Sequence, residues 1–169
     1  NPDQVSATGK PGGYVAIGGV YYQLAVAEKL LNKNLNNATS GDQSYDVLLT
    51  IFMEGNQWYT ETTGSPDFDE YDLVTIVLHE TIHGLFFSGL LYIDSGPIWG
   101  GWPNGAKSSF DFYLTSADGC AIYGYSKSSG DVINSEIGKS VTNNELYFTD
   151  DSDRVVQLYA PSTFSERYS

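Results

Sequence analysis

The sequence predicts an α+β fold with a mostly antiparallel sheet and two principal helices. Three observations carry that expectation. Apolar residues recur at helical spacing in two stretches, a β-rich apolar run of strand length lies between them, and the downstream half is rich in Gly, Ser and Asn with short aromatic runs. The chain of 169 residues, 41% hydrophobic and 14% aromatic, is long enough and apolar enough to bury a core, which excludes a disordered composition. No linker or internal repeat divides it, so one domain spanning residues 1–169 is expected.

Ser6 to Gly13 is Gly/Pro-rich and reads as loop. Tyr14 begins a short strand that breaks at Gly18-Gly19. Ala25, Val26, Leu30 and Leu31 recur at helical spacing, which predicts an amphipathic helix over Val20 to Lys33, ended by the Asn-rich residues 32–37. Tyr45 to Met53 reads as a strand, Glu54-Gly55-Asn56 as a turn, and Gln57 to Thr62 as the returning strand of a hairpin. Asp67, Asp69, Glu70 and Asp72 suit a helix N-terminus, where the backbone dipole favours negative charge. The helix they introduce is expected from about Asp69 to Phe87, with Gly89 stopping it. Phe110–Leu114, Ala121–Tyr125, Glu145–Phe148 and Val155–Tyr159 read as short strands joined by long loops.

Eight basic residues against twenty-one acidic ones leave a formal charge of −13. So acidic a surface repels nucleic acid and anionic lipid, and neither is expected as a partner. No apolar run reaches the length of a membrane span. Cys120 is the only cysteine, which excludes an internal disulfide and reads as a buried, inert thiol. Asn37-Ala38-Thr39 matches a glycosylation acceptor, a pattern short enough to arise by chance.

Residues 79–83 read His-Glu-Thr-Ile-His, and these are the only two histidines in the chain. On a helix, positions i and i+4 share a face one turn apart, so both imidazoles can reach one ion. Glu80, one step round, can reach a water on that ion without taking a coordination site. Zinc lowers the pKa of such a water towards ~7 and polarises a carbonyl as a Lewis acid. Glu80 then serves as general base and returns the proton to the leaving amine. Two histidines and a glutamate in an otherwise apolar helix are costly to bury without such a role. The expected site is therefore His79 and His83 on Zn²⁺ with Glu80 catalytic.

The run LHETIHGLFFSG resembles the active-site helix of the zincins. Within them it is similar to the leishmanolysin-like branch of the metzincins and to secreted bacterial HExxH proteins carrying a protease-associated domain. Weaker likeness continues through YDVLLT (Tyr45–Thr50), FDFYL (Phe110–Leu114), LYF (Leu146–Phe148) and LYAPS (Leu158–Ser162). In all it touches about two-thirds of the chain, in patches. The resemblance implies a zincin-like fold, a zinc-dependent endopeptidase, a protein or peptide substrate and an extracellular, secreted setting.

Three departures qualify it. Phe86 stands where these families place glycine, Gly89 stands where the compact motif places a third histidine, and no histidine follows His83. In the bacterial relatives a Ser-His pair follows the LYAPS-like patch after about ten residues. That spacing implies that the 169 residues are an N-terminal piece of a longer domain. Alternatively a carboxylate is the third ligand, as zinc permits. Asp94, Asp111, Asp118 and Glu136 lie downstream; each also reads as a solvated loop carboxylate, and Asp111 is the least implausible.

Trp99-Gly100-Gly101-Trp102-Pro103 reads as aromatic packing of a Gly-rich loop rather than a cleft wall, and Asp150–Asp153 as a solvated acidic turn. Two other functions stay open: a non-catalytic extracellular structural or assembly subunit derived from a peptidase fold, and a zinc- or carbohydrate-binding module.

Overall fold

A computed structural model describes residues 7–36, 45–94, 99–125, 135–143, 145–150 and 155–158. It is mixed, with small, mostly antiparallel sheets and a few helices, in agreement with an α+β class. Contacts gather the chain into two compact units. Among the described residues no helix is long and apolar enough to cross a membrane.

The first unit comprises Asn1–Ile17 and Tyr22–Ser88. Strand β1 (Ala7–Pro11) occupies part of the stretch read as loop. Its partner β4 (Val47–Ile51) lies within the predicted strand and pairs antiparallel, Ala7 opposite Ile51 and Pro11 opposite Val47. The Gly and Pro that suggest loop are tolerated because β1 is an edge strand with Pro11 at its end. Strand β2 (Tyr14–Ile17) turns at Gly18 and Gly19, both at positive φ (61° and 87°), into β3 (Val20–Gln23).

Helix α1 (Leu24–Leu31) is shorter than predicted, because Val20–Gln23 is strand. The β-forming Val and Tyr residues extend as the second strand of a two-stranded sheet with β2, and the Tyr21 backbone also donates to Lys107 O at 2.9 Å and accepts from Ser109 N at 2.8 Å. Asn32 ends α1 in the left-handed conformation (φ 49°), as the Asn-rich segment foretells. Leu24 and Ala27 are fully buried and form a small core with Leu35, on which Val15, Ile17 and Tyr22 pack.

The predicted hairpin does not form. Gly55 makes its turn at φ 81°, but β5 (Trp58–Tyr59) pairs parallel with β6 (Tyr71–Asp72), and β4 pairs with β1. Turn chemistry sets the turn and leaves the choice of partner strand to the rest of the chain.

Helix α2 (Leu73–Leu85) packs on β1 and β4. Two glycines permit that seat. A Cβ on Gly9 would collide with the Glu80 carbonyl oxygen, and one on Gly84 with Val47 Cγ1. Of the helix, only Gly84 is fully buried.

The second unit comprises Gly18–Tyr21 and Gly89–Ser169. Strands β7 (Tyr92–Asp94) and β8 (Trp99–Gly101) pair antiparallel. Strand β9 (Leu114–Thr115) pairs with β10 (Tyr147–Thr149), which pairs with β11 (Val155–Gln157), both antiparallel. Phe110–Tyr113 and Ile122–Tyr125 are 3₁₀ turns rather than the predicted strands. Helix α3 (Ser135–Thr142), in a stretch read as loop, packs against β7 and β8. Its two apolar side chains in eight residues are too few to reveal a helix by periodicity; Ile137 and Val141 reach the core only in the folded chain.

That core is Trp102, Leu114, Ile122, Ile137 and Leu146. Trp102, 1% exposed, is packing rather than a cleft wall, with Lys107 Nζ 5.0 Å from its ring centre. Cys120 is exposed, which corrects the expectation of a buried thiol. It ends a tight turn whose Gly119 has φ 80°, and a short turn has no interior to bury it in. The glycosylation pattern and the acidic run past Asp150 lie outside the described residues.

The glycine contact fixes the sign of a simple experiment. In an ordinary helix Gly→Ala stabilises by about 1 kcal/mol. Gly84→Ala should instead destabilise the chain by about 1–3 kcal/mol in urea unfolding, because the new methyl would meet Cβ and both methyls of Val47, a β-branched residue with restricted χ1.

Candidate metal centre

The centre is built on α2. Asp72, last of the predicted acidic cluster, is its N-cap: one carboxylate oxygen accepts from Val74 N at 3.0 Å and Thr75 N at 3.4 Å, the other from Thr75 Oγ1 at 2.6 Å. The other acids precede the helix in a turn where Asp67 N donates to Glu70 Oε2 at 3.0 Å. Val74-Thr75-Ile76-Val77 is β-branched throughout and a poor helix former by itself. The cap and the seat on β1 and β4 hold it helical.

His79 and His83 follow one turn apart, and their rings meet edge to face, centroids 4.6 Å apart at 78°. The two Nε2 atoms are 3.0 Å from each other. His83 Nδ1 lies 2.8 Å from Phe87 O. A carbonyl only accepts, so Nδ1 carries the proton, and in the neutral ring the Nε2 lone pair accepts from His79 Nε2–H. On a tetrahedral zinc two such nitrogens sit about 3.3 Å apart. The donor set thus fits a cation after a small parting of the rings.

Glu80 is half-buried and lies about 100° round the helix from His79. His83 is half-buried and His79 exposed. The burial cost argued from sequence therefore falls on Glu80 and His83 and not on His79. Beside His79, Val74, Leu78, Ile82 and Phe86 are exposed, so α2 is not apolar because it is enclosed.

Past the helix the chain is strapped down. Phe86 N and Phe87 N both donate to Ile82 O, at 3.1 and 2.9 Å. Gln23, fully buried, donates through Nε2 to Phe86 O at 3.0 Å and Ser88 O at 2.5 Å. Tyr14 Oη and Ser88 Oγ share a hydrogen bond of 2.7 Å. Phe86 has negative φ (−159°), so the position where the resembling families carry glycine accepts a β-carbon here. The helix ends at Leu85, four residues before the predicted stop at Gly89.

No third ligand joins the pair: among the described residues no group of three His, Cys, Asp or Glu could hold an ion. Asp111 is fully buried, with one carboxylate oxygen committed to its own loops and the other, Oδ1, without a hydrogen-bond partner among the described residues. Its Oδ2 accepts from Ser108 N at 2.7 Å, Ser108 Oγ at 2.9 Å and Leu90 N at 3.1 Å, while Asp111 N donates back to Ser108 Oγ at 3.3 Å. This is a reciprocal capping box, legible in principle as Ser-x-x-Asp at 108–111. A Cβ on Gly89 would collide with Asp111 Oδ1, which explains that glycine by close approach rather than by helix termination. Asp118 is exposed and accepts from Ser116 Oγ and from Cys120 N within its own turn. Asp94 closes β7 and Glu136 lies in α3.

Sequence reasoning missed Gln23 and the Phe87 carbonyl. Gln23 sat inside a stretch read as helix, and a backbone oxygen leaves no mark in a sequence.

Comparison with protein-family models, with curated proteins and with solved structures found no match.

The Thr75 hydroxyl, donating to its carboxylate, holds Asp72 below the usual carboxylate range; burial opposes this, and the Thr75 and Val74 amides add to it. A lowered folded pKa stabilises above the unfolded value of ~3.9 and is lost as pH falls through the folded one. Asp72→Ala should lower the melting temperature by about 2–4 °C near neutrality. The gap from wild type should hold down to about pH 5 and shrink below about pH 4, as read by circular dichroism.

Proposed function

We propose that this chain is a zinc-dependent endopeptidase in which His79 and His83 hold the ion and Glu80 is the general base. The observation that carries the reading is the convergence of the two Nε2 atoms at 3.0 Å, with His83 Nδ1 turned away onto Phe87 O. Without metal the pair is joined by an N–H···N hydrogen bond, and a cation would take the place of that shared proton. Zinc, when bound, supplies Lewis acidity and eases the loss of a proton from water.

The remaining steps belong to the chain. Glu80 takes the proton of the attacking water and delivers it to the departing amine, so its carboxylate cycles between charged and neutral forms. Phe87 O keeps the His83 proton on Nδ1, which fixes the face the ring presents. A zincin-like fold, a protein or peptide substrate and a secreted, extracellular setting belong to the same proposal; the LHETIHGLFFSG run supports them.

A second reading has its own observation. Zinc in enzymes commonly has three protein ligands, and the described residues supply two near one another. That favours a non-catalytic subunit retaining a weak ion site. Buried Trp102 removes one of the two tryptophans that a carbohydrate-binding face would have used.

Calorimetric zinc titration and cleavage of a casein-type substrate separate these readings. The peptidase reading expects one zinc per chain, lost in His79→Ala and in His83→Ala. Glu80→Gln should keep the zinc and lower kcat/KM by about 10²–10⁴-fold. Zinc binding with no Glu80-dependent cleavage supports the non-catalytic subunit, and no zinc binding removes the metal altogether.

A further inference from the structure

We propose that Gln23 is a positioning residue for His83, acting through the backbone of Phe86–Ser88 to set which imidazole nitrogen faces the ion. The inference rests on the metal reading above and deepens it. Gln23 is 0% exposed, and its side chain leaves the N-cap of α1 uncapped. Glutamine is not among the residues that cap helices, and the first amide of α1, Leu24 N, donates to Gly13 O at 2.9 Å. The Gln23 Nε2 spans two carbonyls, Phe86 O at 3.0 Å and Ser88 O at 2.5 Å. An amide nitrogen has two protons, and these two acceptors use both.

The carbonyl between them is that of Phe87. With Phe86 O and Ser88 O drawn to Gln23, Phe87 O is left turned to His83 Nδ1 at 2.8 Å. The Phe87 amide is tied as well, donating to Ile82 O at 2.9 Å, and Tyr14 holds the Ser88 side chain at 2.7 Å. Each peptide plane around Phe87 O therefore has a partner, so the oxygen cannot swing away without breaking one of them. Its position selects the Nδ1–H tautomer of His83 and leaves the Nε2 lone pair opposite His79 Nε2. No sequence pattern links residue 23 to residue 83; the packed chain does.

The test uses the full chain without metal, where nitrogen-15 spectra show only two imidazoles to assign, those of His79 and His83. Wild type should show His83 as the Nδ1–H tautomer. Gln23→Met keeps the volume and removes both donors; it should shift His83 to a mixture of tautomers and weaken zinc binding by about 10–100-fold. Tyr14→Phe, which leaves the Gln23 amide in place, should change the tautomer little. A purely structural Gln23 would lower the melting temperature and leave both tautomer and zinc affinity as they are, and that result overturns the proposal. So does a wild-type His83 protonated on Nε2, which needs no variant to fold. If wild type binds no zinc, the metal reading fails alone, because the tautomer readout on the metal-free chain still decides the role of Gln23.

Discussion

Close approach between α2 and the β1–β4 ladder is the constraint on which the candidate centre depends. Gly9 lets the strand reach the Glu80 carbonyl, and Gly84 lets the helix reach Val47. A helix pinned at two points is fixed in rotation as well as in distance. Since residues a turn apart share a face, pinning Glu80 and Gly84 against the ladder places the His79–His83 edge beside the packed face. The seat also answers a local conflict, because Val74-Thr75-Ile76-Val77 has little intrinsic tendency to be helical.

The second constraint is backbone satisfaction where the helix stops. Four carbonyls at a helix C-terminus lose their intrahelical partners and must find others or meet water. Here Ile82 O takes the amides of both Phe86 and Phe87, and the turn beyond the helix divides its own oxygens. Those of Phe86 and Ser88 go to one buried amide side chain, and that of Phe87 goes to a histidine. One arrangement thus serves two needs, closing the helix and orienting a ring. It works without the glycine that the resembling helices carry, since Phe86 keeps a negative φ.

Asp111 illustrates how a chemically suitable residue can be occupied by structure. A carboxylate accepting three hydrogen bonds in a capping box gives up its Oδ2 to the loops it joins, and its burial follows from that task. Asp118 is likewise spent on its own turn. The search for a third ligand by residue type alone overlooks this competition, because Asp and Ser prefer local backbone partners wherever a turn offers them.

What the sequence determined by itself is what depends on near neighbours. The α2 core with its histidines on one face, the acidic start at Asp72, the Asn32 stop of α1, the turns at Gly18-Gly19 and Gly55 and the strand at β4 all follow from periodicity or from residues a few positions apart. What only the tertiary structure decided depends on distant partners. The Tyr21 backbone found partners in Lys107 and Ser109, β4 took β1 instead of the nearer Trp58–Tyr59, and Gln23 met the end of α2 across more than sixty residues. The physical reason is the same in each case. A backbone donor or a buried amide must be paired, but which acceptor pairs it is settled by packing, and packing is not written in any local window of the chain.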